Sequence, residues 1–305
     1  MKIQLVGKVS DRYANAIAII AGIREAGHEC IPIDPGTDAG VEALRDDVDL
    51  TIVMKRPKKV TRRLYDLTHT VALWMPDELR MENRQGWIKD SDWATIHFTY
   101  DDSSIPIYIE EGVKEGDVYF VPLSGNPNVY QPVPYSMRPG SIGAPEIDFV
   151  FVGTMQGYRH RLVNDLKLMG YNVEVVSEWD GESVNYLYQN AKVVLNHAHP
   201  VGQPFGKGYG LQQRLWEAGL AGRQILTNEL MEGSSDLGLP LNFFSEHNLR
   251  EKAEAAIERA LYEYSYSQES YRELYWSYVD LFRKWNTYKI RIQQIESIMR
   301  EREDG

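Results

Sequence analysis

The sequence predicts an α/β protein of two doubly wound, Rossmann-like domains, and three observations predict it. First, one pattern occurs twice. An apolar strand ending in Val-Gly, a helix ending in Gly and a second strand run from Lys2 to Asp34, and again from Ile147 to Ser177. Second, the 305 residues are long for one core and comfortable for two. Third, a glycine-rich loop, a helix and a strand follow one another late in the second half, from Gly206 to Asn228. Strands alternating with helices imply parallel sheets covered on both faces.

In chain order, Lys2–Gly7 reads as a strand and Asp11–Ala26 as a helix stopped by Gly27, with Glu29–Asp34 as the next strand. Further strands are expected at Leu50–Met54, Val71–Met75, Ala94–Phe98 and Asp117–Pro122. The proline-rich run Val129–Pro145 has neither helical nor strand periodicity and reads as the connection between the halves. In the second half come the strand Ile147–Gly153, a helix from Tyr158 to Met169 and the strand Asn172–Ser177. A short helix Glu182–Gln189 and a buried strand Ala191–Asn196 follow. Leu249–Tyr262 carries an apolar stripe at helical spacing, and Ser270–Met299 closes the chain in helix. The expected domains are 1–135, 136–282 and a terminal helix over 283–305.

Composition narrows the class of function. With 43% hydrophobic and 25% charged residues the chain is a globular protein, and no apolar run is long enough to span a bilayer. The N-terminus MKIQLVGKVSDR lacks the apolar core of a signal peptide, so the expected compartment is the cytoplasm. The single cysteine, Cys30, excludes an internal disulfide and thiolate metal sites, and its apolar neighbours suit packing. A formal net charge of −11 repels nucleic acid at long range, which makes it a less favoured partner unless a local basic patch overrides the average.

The chemistry concentrates in GKGYGLQQRLWEAGLAGRQILTN, Gly206–Asn228. Gly208 and Gly210 leave backbone amides bare before a helix, where bare N–H groups and the positive dipole end favour a phosphate. Arg214 and Glu217, three apart, share a helix face, with Gln213 one turn before Glu217. Arginine on phosphate oxygens and glutamate accepting from ribose hydroxyls would together suit a nucleoside diphosphate. The same two residues would equally make an ordinary surface pair. Gly153-Thr154, with Arg159 and Arg161 beyond, can add amides and guanidinium groups around that diphosphate; Arg159 lies nearer the loop.

The segment RLWEAGLAGRQILTN resembles R-x-x-E-A-x-A-x-G-x-x-(I/L)-(L/V)-(T/A) of GT-B glycosyltransferases, and among these the CgeB-like (spore-maturation) family. WMPDE, PLSGNPNVYQP and WNTYKIRIQQIESIM resemble other parts of that family, so the likeness covers most of the chain. Two positions depart from such patterns. Tyr209 stands where other GT-B families carry a second glutamate, and Asn286 replaces the histidine of H-T-Y-x-x-R.

The resemblance implies two domains facing across a cleft, with the last helix crossing back to the first. It also implies transfer of a sugar from a nucleotide-sugar donor, a UDP-sugar before others, to a hydroxyl acceptor. The glutamate matching Glu217 would bind the donor ribose and the glycine matching Gly222 would allow a tight turn. Asn196, His197 and Tyr209 join the donor side as strand-end and loop positions. No metal cofactor is expected of this class; His197 and His199 have metal-ligand spacing but no third ligand near in sequence. Asp11 and Asp77, each after a strand, are the candidate general bases, although Asp11 suits a helix N-cap and Asp77 a strand end. Three rivals stand beside this reading. A dinucleotide oxidoreductase is opposed by the absence of G-x-G-x-x-G from VGKVSDR and VGTMQGYR. The others are a non-catalytic nucleotide-sugar-binding protein and a glycosyltransferase acting on a modified nucleic acid base.

Overall fold

The structure is a computed structural model, and the residues described are 1–9, 14–36, 38–55, 61–76, 79–80, 86–132, 145–155, 157–177, 180–198, 205–265 and 269–304. The chain divides into two compact units, Met1–Leu123 with Tyr288–Gly305, and Ser124–Thr287. Of the expected connection Val129–Pro145, residues 133–144 lie outside the described residues.

The first unit holds strands β1 (Lys2–Val6), β2 (Glu29–Ile33), β3 (Leu50–Met54), β4 (Thr70–Met75), β5 (Ile96–Thr99) and β6 (Val118–Phe120). They form one parallel sheet in the order β2-β1-β3-β4-β5-β6. Its helices are α1 (Ala14–Glu25), α2 (Asp38–Glu42), α3 (Thr61–Leu64) and α4 (Ile105–Glu110), with α10 (Tyr288–Asp304) returning from the end of the chain. Because side chains alternate along a strand, Leu5 and Ile52 face α1 and α10, while Val6 and Val53 face the core built with Leu64 and Tyr108. Helix α10 belongs here by close packing. A Cβ on Gly22 of α1 would lie 2.5 Å from Tyr288 Cβ, so glycine is what lets the two helices meet.

The second unit holds β7 (Ile147–Val152), β8 (Val173–Val176), β9 (Ala191–Asn196), β10 (Gln224–Asn228) and β11 (Asn242–Phe244), all parallel, in the order β11-β10-β9-β7-β8. Helices α5 (Tyr158–Leu168) and α8 (Leu249–Ser265) cover the face that carries Phe149, Phe151, Val193 and Leu226. Helices α6 (Gly181–Gln189) and α7 (Gln213–Leu220) pack on the other face, and α9 (Glu269–Trp285) packs on α7. Trp216 meets Phe282 edge to face at 6.2 Å, and a Cβ on Gly219 would strike the same ring at 2.2 Å.

Each unit is thus a doubly wound sheet of the type the repeated strand-helix-strand pattern predicts. One expectation is corrected. The helix expected over Ser270–Met299 is two helices, α9 and α10, because the chain leaves helix at Asn286-Thr287. Asn286 closes α9 by donating its side-chain amide to Leu281 O at 2.7 Å, and its own carbonyl accepts from the Ser124 hydroxyl. Thr287 then pairs with Gly125 before the chain enters the first unit.

Candidate donor site

In an open parallel sheet the ligand crevice lies at the carboxyl ends of the strands where the winding reverses. In the second unit that point falls between β7 and β9, whose ends are Val152-Gly153 and Asn196-His197.

Gly153 has φ +139°, a conformation that strains any side chain, and an added Cβ would lie 2.2 Å from Nη2 of Arg214. The glycine therefore admits the guanidinium to the end of β7. Arg214 lies with its Cζ 4.7 Å from the centre of the Phe151 ring, and Arg159 approaches the same ring at 5.4 Å. Arg159 is held from both sides of the reversal point. Its Nη1 donates to Thr154 O at 2.8 Å and its Nη2 to His197 O at 3.4 Å. Burial, reinforced by the charge of Arg214, lowers the pKa of Arg159 to about 10. Burial lowers that of Arg214 too, against the pull of Tyr188 and Glu217. Two guanidinium groups near one phenyl ring are suited to an anion with several oxygens.

Glu217 lies one turn further along α7 and is only 8% exposed, so it is no surface pair. Its Oε1 accepts from Gln213 Nε2 at 2.8 Å and its Oε2 from the Tyr188 hydroxyl at 3.5 Å, and the Tyr130 hydroxyl is a further partner. Burial raises its pKa, while Arg214 and these hydrogen bonds oppose the rise. Tyr188 is fully buried, and burial with the neighbouring carboxylate keeps its phenol protonated as a donor. Gly125 brings the chain close beneath: a Cβ there would lie 3.4 Å from the Glu217 amide and 2.6 Å from Leu220.

Other expected residues are placed differently. The Gly208 amide donates to Glu229 O at 2.7 Å, so the bare amide expected there is already paired; a Cβ at Gly208 would strike Ala198 and Asn228. Gly208 serves the close approach of its loop to β10. Gly210, at φ +60°, donates to the Ser234 hydroxyl at 3.4 Å. The side chain of Gln212, which precedes α7, makes no capping hydrogen bond to the helix start. Tyr209 is 9% exposed. Asn196 is buried, donating to Thr227 Oγ1 at 2.9 Å, and His197 stacks on Phe244 at 6.2 Å. Arg161 turns away to Glu246 Oε1 at 2.9 Å. Asp11, Asp77 and His199 lie outside the described residues. Among the described residues no group of three or more His, Cys, Asp or Glu is placed to hold a metal ion, and no helix is long and apolar enough to cross a membrane.

Sequence reasoning missed Phe151, Tyr130, Tyr188 and Asn228. Asn228 joins two stretches of the loop, accepting from Ala198 N at 2.9 Å and donating to Gly206 O at 3.0 Å. Each acts through a contact distant in sequence, and only the alternation of IDFVFV marked Phe151 as facing one layer.

Solved structures share this fold over nearly the whole chain. One is an alpha-glucosyltransferase bound to UDP and a 13-mer DNA containing an HMU base, with a TM-score of 0.69 at 10% identity, covering 98% of this chain and 99% of that one. The fold is GT-B. Anabaena HepE, in complex with UDP and glucose, has this fold with a TM-score of 0.61 at 11% identity, covering 99% of this chain and all of that one. The apo form of the lipopolysaccharide outer core galactosyltransferase WaaB has a TM-score of 0.53 at 12% identity over 99% of this chain and 100% of that one. No protein-family model and no curated protein matches the sequence.

Proposed function

We propose that this GT-B protein is a glycosyltransferase that moves a hexose from a UDP-sugar to a hydroxyl acceptor, with the donor held by the second unit. The observation that carries the reading is the convergence of Arg159 and Arg214 on Phe151 at the reversal point of the sheet, with the carboxylate of Glu217 one helical turn away. Guanidinium groups take the diphosphate oxygens, and Glu217 accepts from the ribose hydroxyls. Tyr130, Tyr188 and Gln213 hold Glu217 in place. The CgeB-like motif around Arg214 and Glu217, and UDP in the GT-B structures with which the chain shares its fold, support the same assignment.

In the reaction the acceptor oxygen bonds to the anomeric carbon as the bond from that carbon to the diphosphate breaks. UDP leaves, and the acceptor proton passes to a base in an inverting transfer, for which Asp77 and Asp11 are the candidates, or to the departing diphosphate itself in a retaining one. The two arginines supply the positive charge that the departing diphosphate needs, so no metal enters the step. A second reading, transfer to a modified base of a nucleic acid, is favoured by the DNA present in several structures of the same fold.

Glu217→Gln tests the ribose assignment. The substitution keeps a good helix former but removes the charge, and hydrogen bonds to a charged group contribute roughly 1.5–3 kcal/mol. UDP affinity should fall by about tenfold or somewhat more. Wild type should discriminate against 2′-deoxy-UDP, and the variant should not. Because burial raises the pKa of Glu217, wild-type discrimination should fade as pH drops through a value above the ordinary glutamate range; in the variant that pH dependence should vanish. Equal discrimination in both proteins, by calorimetry, would remove Glu217 from the ribose.

A further inference from the structure

Tyr130 reaches Glu217 from outside the helices that build the donor site. It belongs to Ser124–Gln131, the segment by which the chain enters the second unit; the chain leaves that unit at Thr287. Segments at the boundary of a compact unit are ordinarily exposed and make few contacts. Here Ser124, Gly125, Asn126 and Tyr130 are all buried, and Tyr130 is only 2% exposed.

The segment is held along its whole length. Asn126 turns the chain, its side-chain oxygen accepting from the Asn128 amide at 2.9 Å and its carbonyl from the Val129 and Tyr130 amides at 3.1 and 3.0 Å. At its start the segment is tied to the place where the chain leaves the unit, by the Gly125–Thr287 bridge and by the Ser124 hydroxyl on Asn286 O. At its end Gln131 O accepts from Gln189 of α6 at 2.9 Å, and the Gln131 side chain accepts from Arg283 of α9 at 3.4 Å. Between these ties Val129 and Tyr130 lie against the first turn of α6. A Cβ on Gly181 would fall 2.7 Å from Val129 Cγ1 and 3.6 Å from the Tyr130 hydroxyl, and the Tyr130 and Tyr188 rings are 6.2 Å apart.

A buried carboxylate that accepts from a ligand must be kept charged and turned to the right plane, and donors from the protein do both. Gln213 holds Oε1 of Glu217 at 2.8 Å from its own helix, whereas the Tyr188 hydroxyl lies 3.5 Å from Oε2, long for a bond between oxygens. That leaves the orientation of the carboxylate to Gln213 and Tyr130. We propose that Tyr130 is a positioning residue for the nucleotide ribose, and that Ser124–Gln131 is the strap that sets it, so that the donor site takes its working shape only with the strap seated. The inference rests on Glu217 as the ribose ligand.

The test is calorimetry of the full chain with UDP and with 2′-deoxy-UDP over a range of pH, on wild type, Tyr130→Phe and Gly181→Ala. Tyr130→Phe keeps the ring and removes only the hydroxyl, so UDP affinity should fall by roughly two- to tenfold, with a smaller loss for 2′-deoxy-UDP. Its hydrogen bond favours the charged carboxylate, so its loss should also move upward the pH at which discrimination fades, while Arg214, Tyr188 and Gln213 still face the group. Gly181→Ala leaves every donor on Glu217 in the chain and only pushes Val129, and Tyr130 with it. Alanine is the better helix former, so a purely structural role predicts an unchanged ratio of the two affinities; the strap predicts a lower one. Discrimination kept in Tyr130→Phe but lost in Glu217→Gln would overturn this inference alone, as would tighter UDP binding by Tyr130→Phe. An unchanged ratio in Gly181→Ala would remove the strap from the site. No discrimination by wild type would overturn the ribose reading and this inference together.

Discussion

Arg214→Ala is expected to abolish useful donor binding while leaving the second unit folded. The guanidinium sits over Phe151 and against Gly153, where burial strengthens its hold on an anion. Truncating one partner of a buried, hydrogen-bonded charge pair costs about 2–5 kcal/mol. The UDP dissociation constant should therefore rise by at least about thirtyfold. Arg214 also counters the effect of burial on the Glu217 carboxylate, so its loss should raise the pKa of Glu217 further. Uridine, which lacks the diphosphate, should lose much less affinity than UDP. Equal losses for uridine and UDP in calorimetry would mean that Arg214 supports the fold of the site and not the phosphates.

The second large effect is expected of Gly153→Ala, and it separates into two parts. The φ of +139° costs an alanine on the order of 1–3 kcal/mol, which should lower the melting temperature by roughly 2–4 °C per kcal/mol. The new Cβ would also fall 2.2 Å from Arg214 Nη2, the tip of a flexible side chain, so the guanidinium moves and the backbone stays. Donor affinity should fall almost as far as in Arg214→Ala. In the double variant the two effects part. Affinity should match that of Arg214→Ala alone, while the melting temperature keeps the full drop from Gly153→Ala. If the affinity losses added, the glycine would be acting by some route other than Arg214.

Most of the fold was legible because buried parallel strands read as unbroken apolar runs. LTIVM and AKVVLN were placed to the residue, and IDFVFV to within its closing glycine. The exceptions have local causes. The strand β11 is three residues, NFF, at the edge of its sheet, too short for any periodicity to show. The stretch IPIYIE alternates like a strand, yet Pro106 in the first turn and burial of Tyr108 make it helix α4. Asn286 reads as an ordinary helical residue until its side chain is seen closing α9.

The candidate site was legible along one helix turn and at one strand end, where Gly153, Thr154 and Arg159 were read as neighbours of the diphosphate. Arg214, Gln213 and Glu217 share a face of α7 and were found from spacing and motif. What surrounds them was not. Phe151 under the arginines, and Tyr130 and Tyr188 at the carboxylate, come from other elements, and no pattern within α7 points to them. The Gly208 amide misled for the opposite reason. Glycine before a helix suggests an open anion cradle, but here the missing Cβ serves a close backbone contact and the amide is bonded to Glu229.

The most direct test is a crystal structure of the chain with UDP, grown in the presence of a chelator. The diphosphate should lie between Arg159 and Arg214 at the end of β7, with the ribose hydroxyls on Glu217 and no metal ion beside the phosphates. UDP seated away from the Gly153 end of β7, or bound only when a divalent ion bridges its phosphates, would contradict the account.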